Sequence, residues 1–170
     1  MDVELEDFDE GRPMHLKTNE ETGNQIKTLK ASKQYKELLD LAKKMPNTKD
    51  KYLLQAHACL HLKKWKELAE ACDRGLDLAE ERDSSDFLNL KGRAVGKLGN
   101  FEEKIKLTTR AIEIDNQVAA YHRNLGAAYY KLKDYEKAVE SHERAVVLEP
   151  KNGINYHNKG AALFRIKHFE

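Results

Sequence analysis

Apolar residues in this chain fall three and four positions apart over short blocks, and the blocks come in pairs. Tyr35 opens one block, with Leu38, Leu39, Leu41 and Ala42 behind it and Pro46 closing it. That spacing puts one apolar stripe along one side of a helix. Ile26, Leu29 and Ala31 mark a shorter helix just before it. Further on, the pattern acquires a fixed interval. Gly92, Gly126 and Gly160 stand 34 residues apart, as do Phe101, Tyr135 and Phe169, and Ala111 and Ala145 share the interval. A small residue, an aromatic and a second small residue in constant phase predict stacked helix–turn–helix units, a solenoid. Such arrays build a surface, which directs the search for function to binding more than to chemistry.

The clearest unit is residues 119–152, AAYHRNLGAAYYKLKDYEKAVESHERAVVLEPKN. Leu125, Gly126, Tyr129, Tyr135, Ala138, Ala145 and Pro150 fall at the positions of a tetratricopeptide repeat (TPR), and the stretch resembles that family closely. The residue types make physical sense. Gly126 lets the first helix approach the second, and Ala138 offers a matching small face. Tyr135 fills the gap between them. Asp134 is placed to cap the second helix, and Pro150 ends it. The unit at 85–118 keeps Gly92, Phe101, Ala111 and an Asn100-x-x-Glu103 capping box. It carries Lys91 where leucine is usual, Lys104 in place of a small residue and Asn116 in place of proline. A buried lysine is costly unless its ammonium reaches water, so this repeat is expected to be looser. The unit at 49–84 has Trp65 as its aromatic, Ala56 for the glycine and Gly75 for the second alanine. A degenerate first repeat spans about 18–48. A half repeat, 153–170, holds Tyr156, Gly160, Phe164 and Phe169 and stops as its second helix should begin.

The resemblance covers about residues 18–170 and is strongest over 85–170. It implies an all-α fold: a right-handed superhelical solenoid of antiparallel helix pairs, about four and a half TPR repeats, nine helices and no sheet. The turns within pairs are expected near Lys63, Gly99 and Lys133.

Charge changes this picture at one place. The chain is 35% charged with a formal net charge of +1. Residues 1–23 nevertheless hold eight acids and two bases, and the remainder holds 21 acids and 28 bases. The acidic head, residues 1–17, alternates acids with Val3, Leu5 and Phe8; it has no helical face to bury and is expected to be disordered. Two readings of it stay open: a solvated tail, or a segment that covers the basic groove until a better ligand displaces it. No apolar run exceeds four residues, and the acidic start lacks the form of a secretory signal. Two cysteines and no Asn-x-Ser/Thr acceptor fit a reducing intracellular compartment, the cytoplasm first, with the nucleus also open.

In TPR proteins the first helix of each pair lines the concave side. Carried onto this chain, that groove holds His57 and His61, then Asn89, Arg93 and Lys97. It continues with Arg123, Asn124, Ala127, Tyr130 and Lys131, then His157, Asn158, Ala161, Phe164 and Arg165. The ten residues expected to grip a peptide are Asn89, Arg93, Lys97, Arg123, Asn124, Tyr130, Lys131, His157, Asn158 and Arg165. Asn124 and Asn158, 34 apart, would stack as a ladder whose amides bind a peptide backbone without reading its sequence. The Arg and Lys residues suit acidic side chains or a C-terminal carboxylate. The plainer reading is a solvated polar helix face. Some TPR proteins grip chaperone C-termini with a two-carboxylate clamp; of its residues only Asn124 has a counterpart here.

Enzyme chemistry finds little support. His57 and His61 share a helical face, yet Ala58 stands where a metalloprotease needs Glu. Cys59 and Cys72 read as small buried hydrophobes. There is no phosphate loop, no nucleophile triad and no isolated carboxylate pair. Basic residues are dispersed among acids, which argues against nucleic acid. The expectation is a non-catalytic protein-interaction module with no cofactor, no metal, no nucleic acid and no membrane. Its partner would be a protein offering an extended, acidic peptide. The alternatives are a structural subunit that packs by its ends and convex face, self-association through the uncapped helix at 153–167, or the targeting fragment of a larger protein.

Overall fold

A computed structural model describes residues 18–169, with side chains to residue 167. The acidic head and the expectations attached to it lie outside the described residues. Among those described there are nine helices and no strand. In chain order they are α1 Glu20–Ala31, α2 Tyr35–Lys44, α3 Lys49–His61, α4 Trp65–Leu76, α5 Glu81–Lys97, α6 Phe101–Ile114, α7 Ala119–Lys131, α8 Tyr135–Leu148 and α9 Gly153–Phe169. Each packs on its neighbours in sequence. In addition α3 touches α5, α5 touches α7 and α7 touches α9, so these four helices form one continuous layer of a helical repeat solenoid.

Local chemistry sets the element ends. Asn100 accepts from the Glu103 amide at 3.0 Å and Asp134 from the Lys137 amide at 3.2 Å, the two caps the sequence predicts. Asn19 and Thr48 cap α1 and α3 in the same way. The turns within pairs fall at Lys33, Lys63, Gly99 and Lys133, each with positive φ (56°, 56°, 96° and 65°). That conformation costs a side-chain-bearing residue about 1–2 kcal/mol, and glycine avoids the cost. Lys133→Gly should therefore raise the urea midpoint, by about 0.5–1 kcal/mol after the extra chain entropy of glycine is subtracted. Gly99→Ala should lower it by about 1 kcal/mol. Unchanged midpoints in both variants would show that the turns tolerate any residue.

The core changes character along the array. Leu38, Leu54, Leu68 and Phe87 fill the N-terminal half. Beyond α5 large buried apolar side chains give way, Tyr121 apart, to alanine and polar groups: Thr108, Ala111, Ala138, His142, Ala145 and Asn155 are all buried. The two lysines of the 85–118 unit are accommodated differently from the looseness expected of them. Lys91 forms an ion pair with Asp73 of α4. Lys104 is only 4% exposed, and its stem lies over Gly96, where an added Cβ would meet its Cδ at 2.5 Å. A missing side chain on one helix makes the room for a long one on the next. Helix α5 also begins at Glu81, one turn ahead of Ser85, while α4 has 12 residues against 14 in α6 and α8; together these account for the two extra residues between Trp65 and Phe101.

The space opposite Gly126 is filled by the His142 ring, whose Cε1, Nδ1 and Nε2 lie 2.6, 2.8 and 2.8 Å from an ideal Cβ. Thr108, 34 residues earlier, takes the corresponding place beside Gly92. At Gly160 nothing lies within 4 Å. Tyr156, Leu163 and Phe164 on the same helix remain 50%, 45% and 58% exposed.

Candidate functional site

Because the first helices lie side by side, residues at one register position form rows across them. One row runs His61, Lys97, Lys131 and Arg165. Four residues earlier the row is His57, Arg93, Ala127 and Ala161. A third, five residues ahead of each pair's aromatic, is Lys30, Leu60, Gly96, Tyr130 and Phe164.

The ten expected peptide-gripping residues separate into two sets. Lys97, Lys131 and His157 are exposed, and Tyr130 and Arg165 are half-buried. Asn89, Arg93, Arg123, Asn124 and Asn158 are buried between helices. Arg123 donates Nη1 to Asn155 Oδ1 at 3.0 Å and stands 3.6 Å from Glu149, so it ties α7 to the start of α9. Asn155 passes that tie on, donating Nδ2 to the carbonyls of Ala145 and Glu149 at 3.0 and 3.3 Å, where α8 ends. Asn124 pairs backward: its Nδ2 donates to Asn89 Oδ1 at 2.9 Å. It makes no bond forward to Asn158, whose amide atoms are both buried without a partner. These two asparagines should consequently differ. Asn124→Ala strands the Asn89 amide and should cost about 1–3 kcal/mol. Asn158→Ala removes an amide that makes no bond and should be near neutral. Equal losses in urea unfolding would contradict this pairing.

The N-terminal end of the groove carries His57, His61 and Arg93. His61 stacks on Tyr35 with ring centroids 4.0 Å apart and planes 9° from parallel. His57 has its pKa pulled down to about 3, by burial first and then by the charges of Lys30, His61 and Arg93. Burial likewise lowers the Lys30 pKa.

The C-terminal end is aromatic. A cavity of about 320 Å³ lies against α9, lined by Tyr130, Tyr156, His157, Ala161, Phe164 and Arg165, with Gly160 at its floor. Arg165 donates Nε and Nη2 to the Tyr135 hydroxyl at 3.3 and 3.2 Å, and Tyr130 meets Tyr135 edge-on at 5.4 Å. Tyr135 thus holds one wall of the cavity, a role the sequence pattern assigned only to packing within its own pair.

Cys59 and Cys72 are buried and unoxidised, with thiol pKa values pushed up by burial. Among the described residues no three His, Cys, Asp or Glu side chains are placed to hold a metal, and no helix is long and apolar enough to cross a membrane.

The helix-pair geometry and the 34-residue register meet an independent comparison at one unit: the family model of the tetratricopeptide repeat matches residues 119–152. Residues 119–152 are a tetratricopeptide repeat. The helical array as a whole shares its fold with solved TPR proteins. The 41-to-end form of MamA from Desulfovibrio magneticus RS-1 superposes with a TM-score of 0.74 at 18% identity, over 91% of this chain and 88% of that one. YrrB, described as a TPR protein with an unusual peptide-binding site, superposes at 0.69 with 19% identity, over 82% and 73%. The first TPR of Spaghetti (RPAP3), bound to the HSP90 peptide SRMEEVD, superposes at 0.65 with 17% identity, over 68% and 93%. At these identities the likeness is one of fold. No curated protein matches the chain significantly.

Proposed function

We infer that this TPR array is a non-catalytic protein-interaction module whose concave groove binds an extended, acidic segment of a partner protein. The observation that carries the reading is the row His61, Lys97, Lys131 and Arg165. It sets a basic group on each of four consecutive first helices, at intervals of 36, 34 and 34 residues. A strand laid across those helices meets one positive group per step. Charge complementarity of this kind steers encounter and fixes register. YrrB and the RPAP3 domain, which share the fold, are described with peptide sites.

Fluorescein-labelled acidic, neutral and basic peptides of about ten residues, titrated against the full chain, test it. Acidic peptides should bind best. Lys97→Glu with Lys131→Glu, both exposed, should weaken them by about 10-fold or more, and the loss should shrink at high salt. Equal binding of all three classes, insensitive to the double substitution, would remove the acidic-groove reading.

A second reading draws on the open face of α9. Gly160 faces empty space, and Tyr156, Leu163 and Phe164 expose a contiguous apolar surface beside it. Through 153–167 the chain would associate with a second copy or pack as a subunit of an assembly. Sedimentation at increasing concentration should then show oligomers that Phe164→Glu dissolves; a monomer throughout ends this reading.

A further inference from the structure

Four turns of the array are built alike. In each, one amide donates to the carbonyl three residues back and the next amide to the carbonyl five residues back: Lys33 and Gln34, Lys63 and Lys64, Gly99 and Asn100, Lys133 and Asp134. Equivalent positions therefore leave the backbone in equivalent directions. The position before the first amide holds Ser32, Leu62, Leu98 and Leu132, of which Leu98 and Leu132 are 51% and 39% exposed. The next position is left-handed in all four turns and holds Lys33, Lys63, Gly99 and Lys133, the three lysines being exposed. Glycine takes up that conformation without strain, whereas lysine occupies it at a cost in stability. Folding does not explain a cation at three of these four tips, because the side chain is exposed and the backbone would be more stable without it.

All four turns lie on one edge. Helices α3, α5 and α7 lie side by side, each joined to the next through one antiparallel helix, so their C-terminal ends point the same way. The first turn joins them through Tyr35, which opens α2 and stacks on His61 at the end of α3. The two edges of the array differ in charge. The connections on this edge, 32–34, 62–64, 98–100 and 132–134, hold four lysines and one acid, Asp134, which caps α8 and pairs with Lys137. Lys64 pairs with Glu67, so Lys33, Lys63 and Lys133 define the tips. The connections on the far edge, 45–48, 77–80, 115–118 and 149–152, hold four acids and one lysine. One turn in from the tips, lysines and glutamates nearly balance, so the tips set the sign of the edge.

We propose that this edge docks on an anionic lipid bilayer, with Leu98 and Leu132 entering the interfacial layer and Lys33, Lys63 and Lys133 meeting the headgroups. Among the described residues no helix is long and apolar enough to cross a bilayer, and lying on one requires none. Tips on neighbouring helices, roughly 8–10 Å apart at the usual helix spacing, meet a flat surface together. Exposed leucine beside lysine favours lipid over nucleic acid, whose phosphate backbone gives an apolar side chain nothing to enter. The net charge of the chain is +1, so attraction of the molecule as a whole is weak and the edge has to supply it. Each lysine at an anionic membrane surface contributes about five-fold in affinity. The edge is independent of the acidic groove, whose basic row belongs to the helices and not to the turn tips.

The test is co-sedimentation of the full chain with vesicles of phosphatidylcholine alone and with about 30% phosphatidylserine. The chain should pellet with the anionic vesicles and stay in solution with the neutral ones. Lys63→Gly with Lys133→Gly should weaken that binding by about 25-fold. The same pair should raise the urea midpoint, since both turns lose their strain. A lysine that served only the fold could not give a more stable, weaker binder. Leu98→Ser with Leu132→Ser should weaken binding by about 10-fold and leave the remainder sensitive to salt. Lys44→Ser with Lys151→Ser removes the same charge from exposed positions at the far edge and should change nothing. Equal sedimentation with both kinds of vesicle, or an equal loss from the far-edge pair, would overturn the proposal. So would a DNA duplex that binds more tightly than the vesicles and ignores the leucine pair, which would assign the edge to nucleic acid.

Discussion

Gly75→Ala should be the most damaging single-methyl change in the array, costing on the order of 3 kcal/mol, the upper end of the usual overpacking penalty. An ideal Cβ on Gly75 would overlap Cε1, Cζ and Cδ1 of Phe87. Phe87 is 1% exposed among Leu54, Leu68 and Leu90, so its ring has nowhere to retreat. Gly126→Ala should follow at about 2 kcal/mol, because the buried His142 ring stands 2.6–2.8 Å from the new methyl. Gly96→Ala should cost less than either: the obstructing atom is Cδ of a lysine, which can swing aside. Gly160→Ala should go the other way and stabilise by about 1 kcal/mol, since it gains helix propensity and meets nothing within 4 Å. Urea unfolding of the four variants checks the order. A similar loss for Gly160→Ala and Gly126→Ala would mean that the open face of α9 is covered.

Acid should destabilise the array well before its carboxylates protonate. His142 is fully buried, and its pKa is lowered to about 4, by burial first and then by Arg123 and Lys104. His57 stands at about 3. Between pH 6.5 and these values the unfolded chain binds protons that the folded chain refuses. Stability is therefore complete above about 6.5 and is lost as the pH falls. By pH 5 each histidine should have cost about 2 kcal/mol. His122, also shifted down by its burial, works in the same direction. The urea midpoint should drop steeply between pH 7.5 and 5. His142→Thr, which copies the residue found beside Gly92, should remove about half of that slope. A midpoint flat over this range would mean that both rings reach solvent when folded.

The acid sensitivity bears on how binding is measured. Burial of His57 and His142 makes folding itself depend on pH, so ligand titrations below pH 6 would mix binding with folding. Affinity ratios are best compared near pH 7.5, where the array holds its full stability.

The sequence alone determined the repeating helix pair and the turns within it. The 34-residue interval gave the phase, Asn100 and Asp134 gave two helix starts, and Lys63, Gly99 and Lys133 marked turns that all adopt positive φ. These are local properties: a helix start, a turn and an apolar stripe each depend on residues within a few positions of one another. Tertiary structure decided what each repeated position is for. Gly92, Gly126 and Gly160 are equivalent by interval, yet one faces a hydroxyl, one an imidazole and one empty space. Asn89, Arg93, Arg123, Asn124 and Asn158 sit at groove positions by register and are nevertheless buried. Register fixes only the angle at which a side chain leaves its helix. Whether that direction ends in water or in a neighbour depends on side chains of other helices, as Lys104 of α6 over Gly96 of α5 and Asn155 of α9 under Arg123 of α7 illustrate.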